Sequence, residues 1–218
     1  MNPPTDVLIA QLAASVRPVR RLAPPMVRAL AWLIVTGALG GLAVWRWSNL
    51  PVFVGRASDP RMALELAATL ATGVAGVVAA FHLSLSDRSR RWALLPLPFA
   101  GLWLALSGLG CWRSWSEQTA QGWRLGESSH CVVFLLVVGL PMAGVLLLSL
   151  RRARPLQPRL VASVGALGVA ALSAVLLQFF HPFDVTLLDL GAHLAALAIL
   201  IGVLALAGGQ PVEPSQEI

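Results

Sequence analysis

Long apolar stretches alternate with short polar segments along the whole chain, and the arginines gather in those segments. A helix that crosses the hydrocarbon core of a bilayer needs about 20 mostly apolar residues. Six stretches reach that length, at about 26–45, 62–81, 92–111, 130–150, 160–180 and 187–206. Backbone N–H and C=O groups find no water in lipid, so such stretches satisfy them internally as helices. The predicted fold class is therefore all-α: a polytopic membrane protein with a six-helix bundle over 26–208, a leader over 1–25 and a tail over 209–218. Small residues recur within the spans, with Gly37 and Gly41, Gly73 and Gly76, and Gly165 and Gly168 at helical spacing. Close backbone approach at such residues favours compact packing in lipid.

Composition removes the soluble alternative. Hydrophobic residues make up 57% and charged residues 12% of the 218 positions, with a mean hydropathy of +0.75, whereas a soluble domain carries about a quarter charged residues. All 16 basic residues are arginine. A pI near 11.4 invites a nucleic-acid reading, but no segment is long enough to fold into a soluble domain with a basic face, and direct nucleic-acid binding is not expected. The arginines instead report topology, because cytoplasmic loops are enriched in them. With the N-terminus inside, eleven arginines (17, 20, 21, 28, 88, 90, 91, 151, 152, 154, 159) face the cytoplasm and five (46, 56, 61, 113, 124) face outward. Both ends are therefore expected in the cytoplasm, with the chain in a bacterial inner membrane. The first 25 residues do not read as a cleavable signal peptide, because their apolar stretch precedes the basic cluster.

Residues 5 to 16 predict a short amphipathic helix, with Thr5 at its N-cap, Asp6 in the first turn and Leu8, Ile9, Leu12, Ala13 and Val16 on one face. About three turns are marginal alone in water. The apolar face wants either the membrane surface, with the arginines on anionic lipid, or the groove of a protein partner. The prolines of Arg17-Pro18-Val19-Arg20-Arg21-Leu22-Ala23-Pro24-Pro25 separate this helix from the first span.

In the same topology, Cys111 ends the third span and Cys131 begins the fourth, and His130, His181 and Asp184 lie on the outer side with them. Asp189 is near them, while His193 and Glu65 stand inside the sixth and second spans, where ionisable groups are costly and are functional suspects. Thiolate and imidazole suit transition and heavy metal ions, and carboxylates complete a shell. A Cys111–Cys131 disulfide in an oxidising compartment is the other chemistry open to the cluster. The chain has no phosphate loop, paired-His metalloprotease motif or nucleophile elbow, so an enzyme is not expected. A small membrane transporter or a cofactor-binding membrane redox protein, using Glu65, His181 and His193, is the alternative that these residues leave open.

Several motifs resemble the NrsF family of membrane-bound anti-sigma factors. They are Thr5-Asp6-x-Leu8-Ile9-x-x-Leu12, Arg17-Pro18-Val19-Arg20-Arg21-Leu22 with Pro24-Pro25, Ser128-Ser129-His130-Cys131, and Leu150-Arg151-Arg152. The resemblance covers nearly the whole chain, and the basic leader motif is its most specific part. It implies sequestration of an ECF-type sigma factor by the cytoplasmic leader and release under metal or oxidant stress. By resemblance, Arg17, Arg20 and Arg21 pair with acidic groups of the sigma factor, Pro18 fixes the chain direction, and Leu8, Ile9 and Leu12, with Leu22, fill an apolar groove. The sensing positions it implies are Cys131, His181, Asp184 and His193. Pro182 stands where the family usually has a second cysteine and Ala192-His193 where it has a Trp-His pair, which leaves Cys111 as the substitute partner. No resident cofactor is implied beyond a regulatory transition or heavy metal ion.

Overall fold

A computed structural model of the chain describes residues 5–15, 21–118, 125–180 and 187–208. Every regular element among them is helical: α1 (Thr5–Ser15), α2 (Pro25–Trp47), α3 (Leu50–Ala57), α4 (Pro60–Leu83), α5 (Leu97–Gln118), α6 (Leu125–Arg151), α7 (Pro158–Phe180) and α8 (Leu187–Gly208), with a 3-10 turn at Arg90–Leu94 before α5. Five described segments are long and apolar enough to cross a membrane: Pro25–Trp47, Pro60–Leu83, Arg90–Leu109, Cys131–Arg151 and Pro158–Phe180. A shorter apolar run, His193–Ala207, belongs to α8.

The helices start where the sequence supplies start signals. Proline stands in the first turn of α2, α3 and α4, where its missing N–H costs nothing. The Asp59 carboxylate accepts from the Arg61 N–H at 3.0 Å and so caps α4. Helix α3 was not expected, because eight residues are too few to register as a span. It forms because Asn49 caps it through the Val52 N–H and Pro51 is compatible with its first turn. The third span was expected from Trp92, and the apolar segment Arg90–Leu109 covers that start, but its first residues form a 3-10 turn and α5 begins at Leu97. Pro96 and Pro98 have no N–H to donate back to the preceding turn, which interrupts the helical ladder there, and the Pro96 carbonyl accepts the first helical bond from the Ala100 N–H at 2.9 Å.

Helices α4 and α7 form the central pair. Of their apolar windows 72% and 56% respectively are buried, against 22% for α2, so α2 is peripheral. The seam of the central pair is a backbone contact. A Cβ on Gly76 would lie 2.6 Å from the Gly168 Cα, and one on Gly168 would lie 2.8 Å from the Val77 nitrogen. Gly73 likewise admits Leu172, and Gly165 admits Leu146. The expected close approach therefore holds for these two helices. Gly37 and Gly41 have nothing within 4 Å, and Gly40, between them, is the residue of α2 that receives Leu176. Above the seam the core is filled by Phe81, Val77, Leu146, Leu150, Val161, Val169 and Leu200, all at most 2% exposed.

Candidate functional site

The helices bring sequence-distant residues together at each end of the bundle. At the end near the leader, the Arg28 guanidinium lies 5.0 Å from the Phe81 ring centroid and donates to the Ser149 carbonyl near the C-terminus of α6. Arg151 donates in the same way to the Ala207 carbonyl of α8. The last carbonyls of a helix lack intrahelical partners and carry partial negative charge, so two arginines there satisfy acceptors. His82 is 8% exposed and stacks on Trp92 with ring centroids 3.9 Å apart and planes 10° apart. The imidazole thereby ties the 3-10 turn to the end of α4.

At the opposite end, α4, α5, α7 and α8 form a narrow, partly open cleft lined by Glu65, Thr69, Trp103, Ser107, Ala174, Gln178, Leu190 and His193. Its best-defined contact joins α5 to α4: the Ser107 hydroxyl donates to Glu65 Oε1 at 2.6 Å. One turn before Glu65, Arg61 donates to the Leu106 carbonyl of α5 at 3.0 Å. The Thr69 hydroxyl donates to the Glu65 carbonyl at 2.7 Å, which fixes its rotamer along the cleft wall. Outside the cleft, Phe53 of α3 stacks on Phe179 of α7 at 4.0 Å.

The residues singled out in the sequence fall in three places. Leu8, Ile9 and Leu12 lie on α1, none of whose residues is buried; their exposures are 45%, 58% and 59%, and Leu22 is 46% exposed. Arg21 is exposed as well, whereas Arg17, Pro18 and Arg20 lie outside the described residues. His193 lines the cleft with Glu65. Cys131 is 1% exposed in an apolar cluster with Leu135, Ala174, Leu177 and Ala196. Helix α6 starts earlier, at Leu125, and α5 continues past Cys111 to Gln118, while the apolar segments long enough to span a membrane within them run over Arg90–Leu109 and Cys131–Arg151. The side chains of Cys111 and His130, and all of His181 and Asp184, lie outside the described residues. The reading from sequence missed Ser107, Gln178 and Trp103. Gln178 is the only amide in α7, which is a usable signal in an apolar helix; Ser107 and Trp103 carry none, because their role depends on where α5 packs.

The chain has no match among curated proteins or among solved structures. It does match the family described as NrsF: Negative regulator of sigma F, over residues 12–212. That span takes in the basic motif after α1, the bundle and every residue of the cleft. A match over nearly the whole chain, to a fold whose long apolar helices leave the leader helix exposed, settles the family: the chain belongs to NrsF, the negative regulators of sigma F.

Proposed function

We propose that this chain is an inner-membrane anti-sigma factor that holds an ECF-type sigma factor on its cytoplasmic leader and releases it on a metal or redox signal from the other side. In this reading α8 is the sixth span, both ends face the cytoplasm, and the arginine-capped end of the bundle is the inner one. The observation that carries it is the exposure of α1: Val7, Leu8, Ile9 and Leu12 are 44–59% exposed. An exposed apolar helix of that kind can seat in a partner's groove, and the arginines that follow suit an acidic partner surface.

Release requires two states of the bundle that differ in how they present the leader. Moving such an equilibrium from mostly bound to mostly free takes a bias of about 3 to 5 kcal/mol, a size that one metal ion or one disulfide supplies. Cys131 is the thiol proposed to take part, with Cys111, His130, His181, Asp184 and His193 as its partners. Because Cys131 is buried in an apolar cluster, reaction there requires α6, α7 and α8 to part locally. Release under metal or oxidant that is unchanged in a Cys131→Ser variant removes it from the mechanism.

The main test is co-purification. Full-length chain solubilised from membranes is expected to retain a sigma factor, and a variant with Arg20→Ala and Arg21→Ala is expected to lose it. Equal retention by both proteins contradicts leader-mediated capture. The cleft favours one other reading, a small transporter or membrane redox protein acting through Glu65 and His193; failure of the wild-type chain to retain any sigma factor would favour it.

A further inference from the structure

Arg28 is held from two sides: one terminal nitrogen donates to the Ser149 carbonyl of α6, and the guanidinium lies over the Phe81 ring of α4. Neither contact brings a full negative charge. The other terminal nitrogen, Nη1, is buried without a hydrogen-bond partner, and so is Nε1 of Trp32, one turn further along α2. Trp32 is only 5% exposed, and a buried donor left unpaired is costly. The charged neighbour that acts on Arg28 is Arg152, of the same sign. Two like charges at a sheltered edge are stabilised by an anion between them.

Arg28 is the fourth residue of the Pro25–Trp47 segment, and Arg152 directly follows the Cys131–Arg151 segment. Ends of spanning segments lie at headgroup depth in either orientation of the chain. Deeper along α2, Ala31 and Val35 stand three and seven residues on from Arg28 and are exposed, an apolar track on the Arg28 side of the helix. Four residues of helical rise place Trp32 about 6 Å below Arg28. The ester carbonyls of a phospholipid lie below its phosphate in the same order.

We propose that this edge of the bundle binds one anionic phospholipid, its phosphate between Arg28 and Arg152 and one of its ester carbonyls accepting from the Trp32 indole. Guanidinium groups suit phosphate oxygens, and basic pockets between spanning helices take lipid head groups. Helix α2 is peripheral, with 22% of its apolar window buried, so a small displacement of it opens the edge to the buried donors. Free phosphate offers the arginines the same anion but has nothing for Trp32 or for the apolar track. Neither the sigma factor nor its release signal enters the inference, which goes beyond the proposed function.

The test is lipid titration of the full-length chain, delipidated in dodecyl maltoside, read by native mass spectrometry and by the thermal midpoint. The probes are phosphatidylglycerol, phosphatidylcholine and inorganic phosphate. One phosphatidylglycerol per chain is expected, bound about tenfold or more tighter than phosphatidylcholine, with a raised midpoint. Arg28→Gln should weaken it by roughly tenfold or more, and Arg152→Gln by about fivefold. Trp32→Phe keeps a ring but removes the donor, and should weaken it by about fivefold. Arg90→Gln, at an exposed position of the 3-10 turn, removes the same charge and should change binding by about twofold or less. The lipid-free midpoint of each variant is read first, and Arg152→Gln with Trp32→Phe keeps the test open if Arg28→Gln fails to fold. Equal binding of the two lipids overturns the site, as does equal weakening by Arg152→Gln and Arg90→Gln. Inorganic phosphate that saturates at the same concentration as phosphatidylglycerol, or lipid binding unchanged in Trp32→Phe, overturns the lipid as the source of the phosphate.

Discussion

At the leader end of the bundle, Arg28 and Arg151 donate to the carbonyls of Ser149 and Ala207, and His82 lies flat on Trp92. At the far end, Glu65, Ser107, Gln178 and His193 surround a cleft between α4, α5, α7 and α8. The first arrangement latches helix ends together through arginine–carbonyl hydrogen bonds and a ring stack. The second gathers a carboxylate, held by the Ser107 hydroxyl, and an imidazole around one cavity. Both ends are cross-linked by contacts between helices, and the far, more open end also carries the cleft. The rigid link between them is the α4–α7 seam, where the Gly76 and Gly168 backbones touch.

Breaking the seam should remove the distinction between the ends altogether. Gly168→Leu places a side chain against the backbone of Gly73, Gly76 and Val77, and overpacking of this kind costs about 1–3 kcal/mol or more. The thermal midpoint in detergent should fall markedly, while Gly41→Leu, with nothing within 4 Å of its Cβ, should leave it unchanged. Loosening the leader end alone should cost less. Arg151→Gln removes the charged donor to the Ala207 carbonyl, a bond worth about 1.5–3 kcal/mol in sheltered settings. Hydrogen exchange of the last turn of α8 should rise while that of α4 stays as it is. Trp92→Ala deletes the ring under His82, with a loss of about 0.5–1.5 kcal/mol beyond burial, and faster exchange confined to residues 84–96 would report it. The smallest effect belongs to the open end, where Ser107→Ala removes one hydrogen bond to Glu65 and should lower stability by about 1 kcal/mol or less.

The five segments long and apolar enough to cross a membrane were legible because runs of Leu, Val and Ala display that length directly. Helix α3 was not legible by that criterion, since its eight residues are set by the Asn49 cap and by packing of Phe53 on Phe179. The start of α5 was obscured for a different reason: hydropathy is blind to the two prolines that delay helix formation to Leu97. Glycine spacing alone could not separate Gly76 and Gly168 from Gly37 and Gly41, because only the position of the facing helix decides which pair is buried. In the cleft, Glu65 and His193 stood out as ionisable groups within spans. Ser107 did not, because a serine in an apolar helix acquires a role only once its hydroxyl meets a carboxylate on a neighbour.

The central claim is that the leader and the cleft face opposite aqueous compartments, and an impermeant maleimide applied to intact spheroplasts tests it most directly. With both native cysteines replaced by serine, a cysteine placed at Ser58, beside α4 at the cleft end, is expected to label, and one placed at Ala14 of α1 is expected to label only after lysis. Labelling of the Ala14 position in intact spheroplasts, with the Ser58 position protected, would contradict the account.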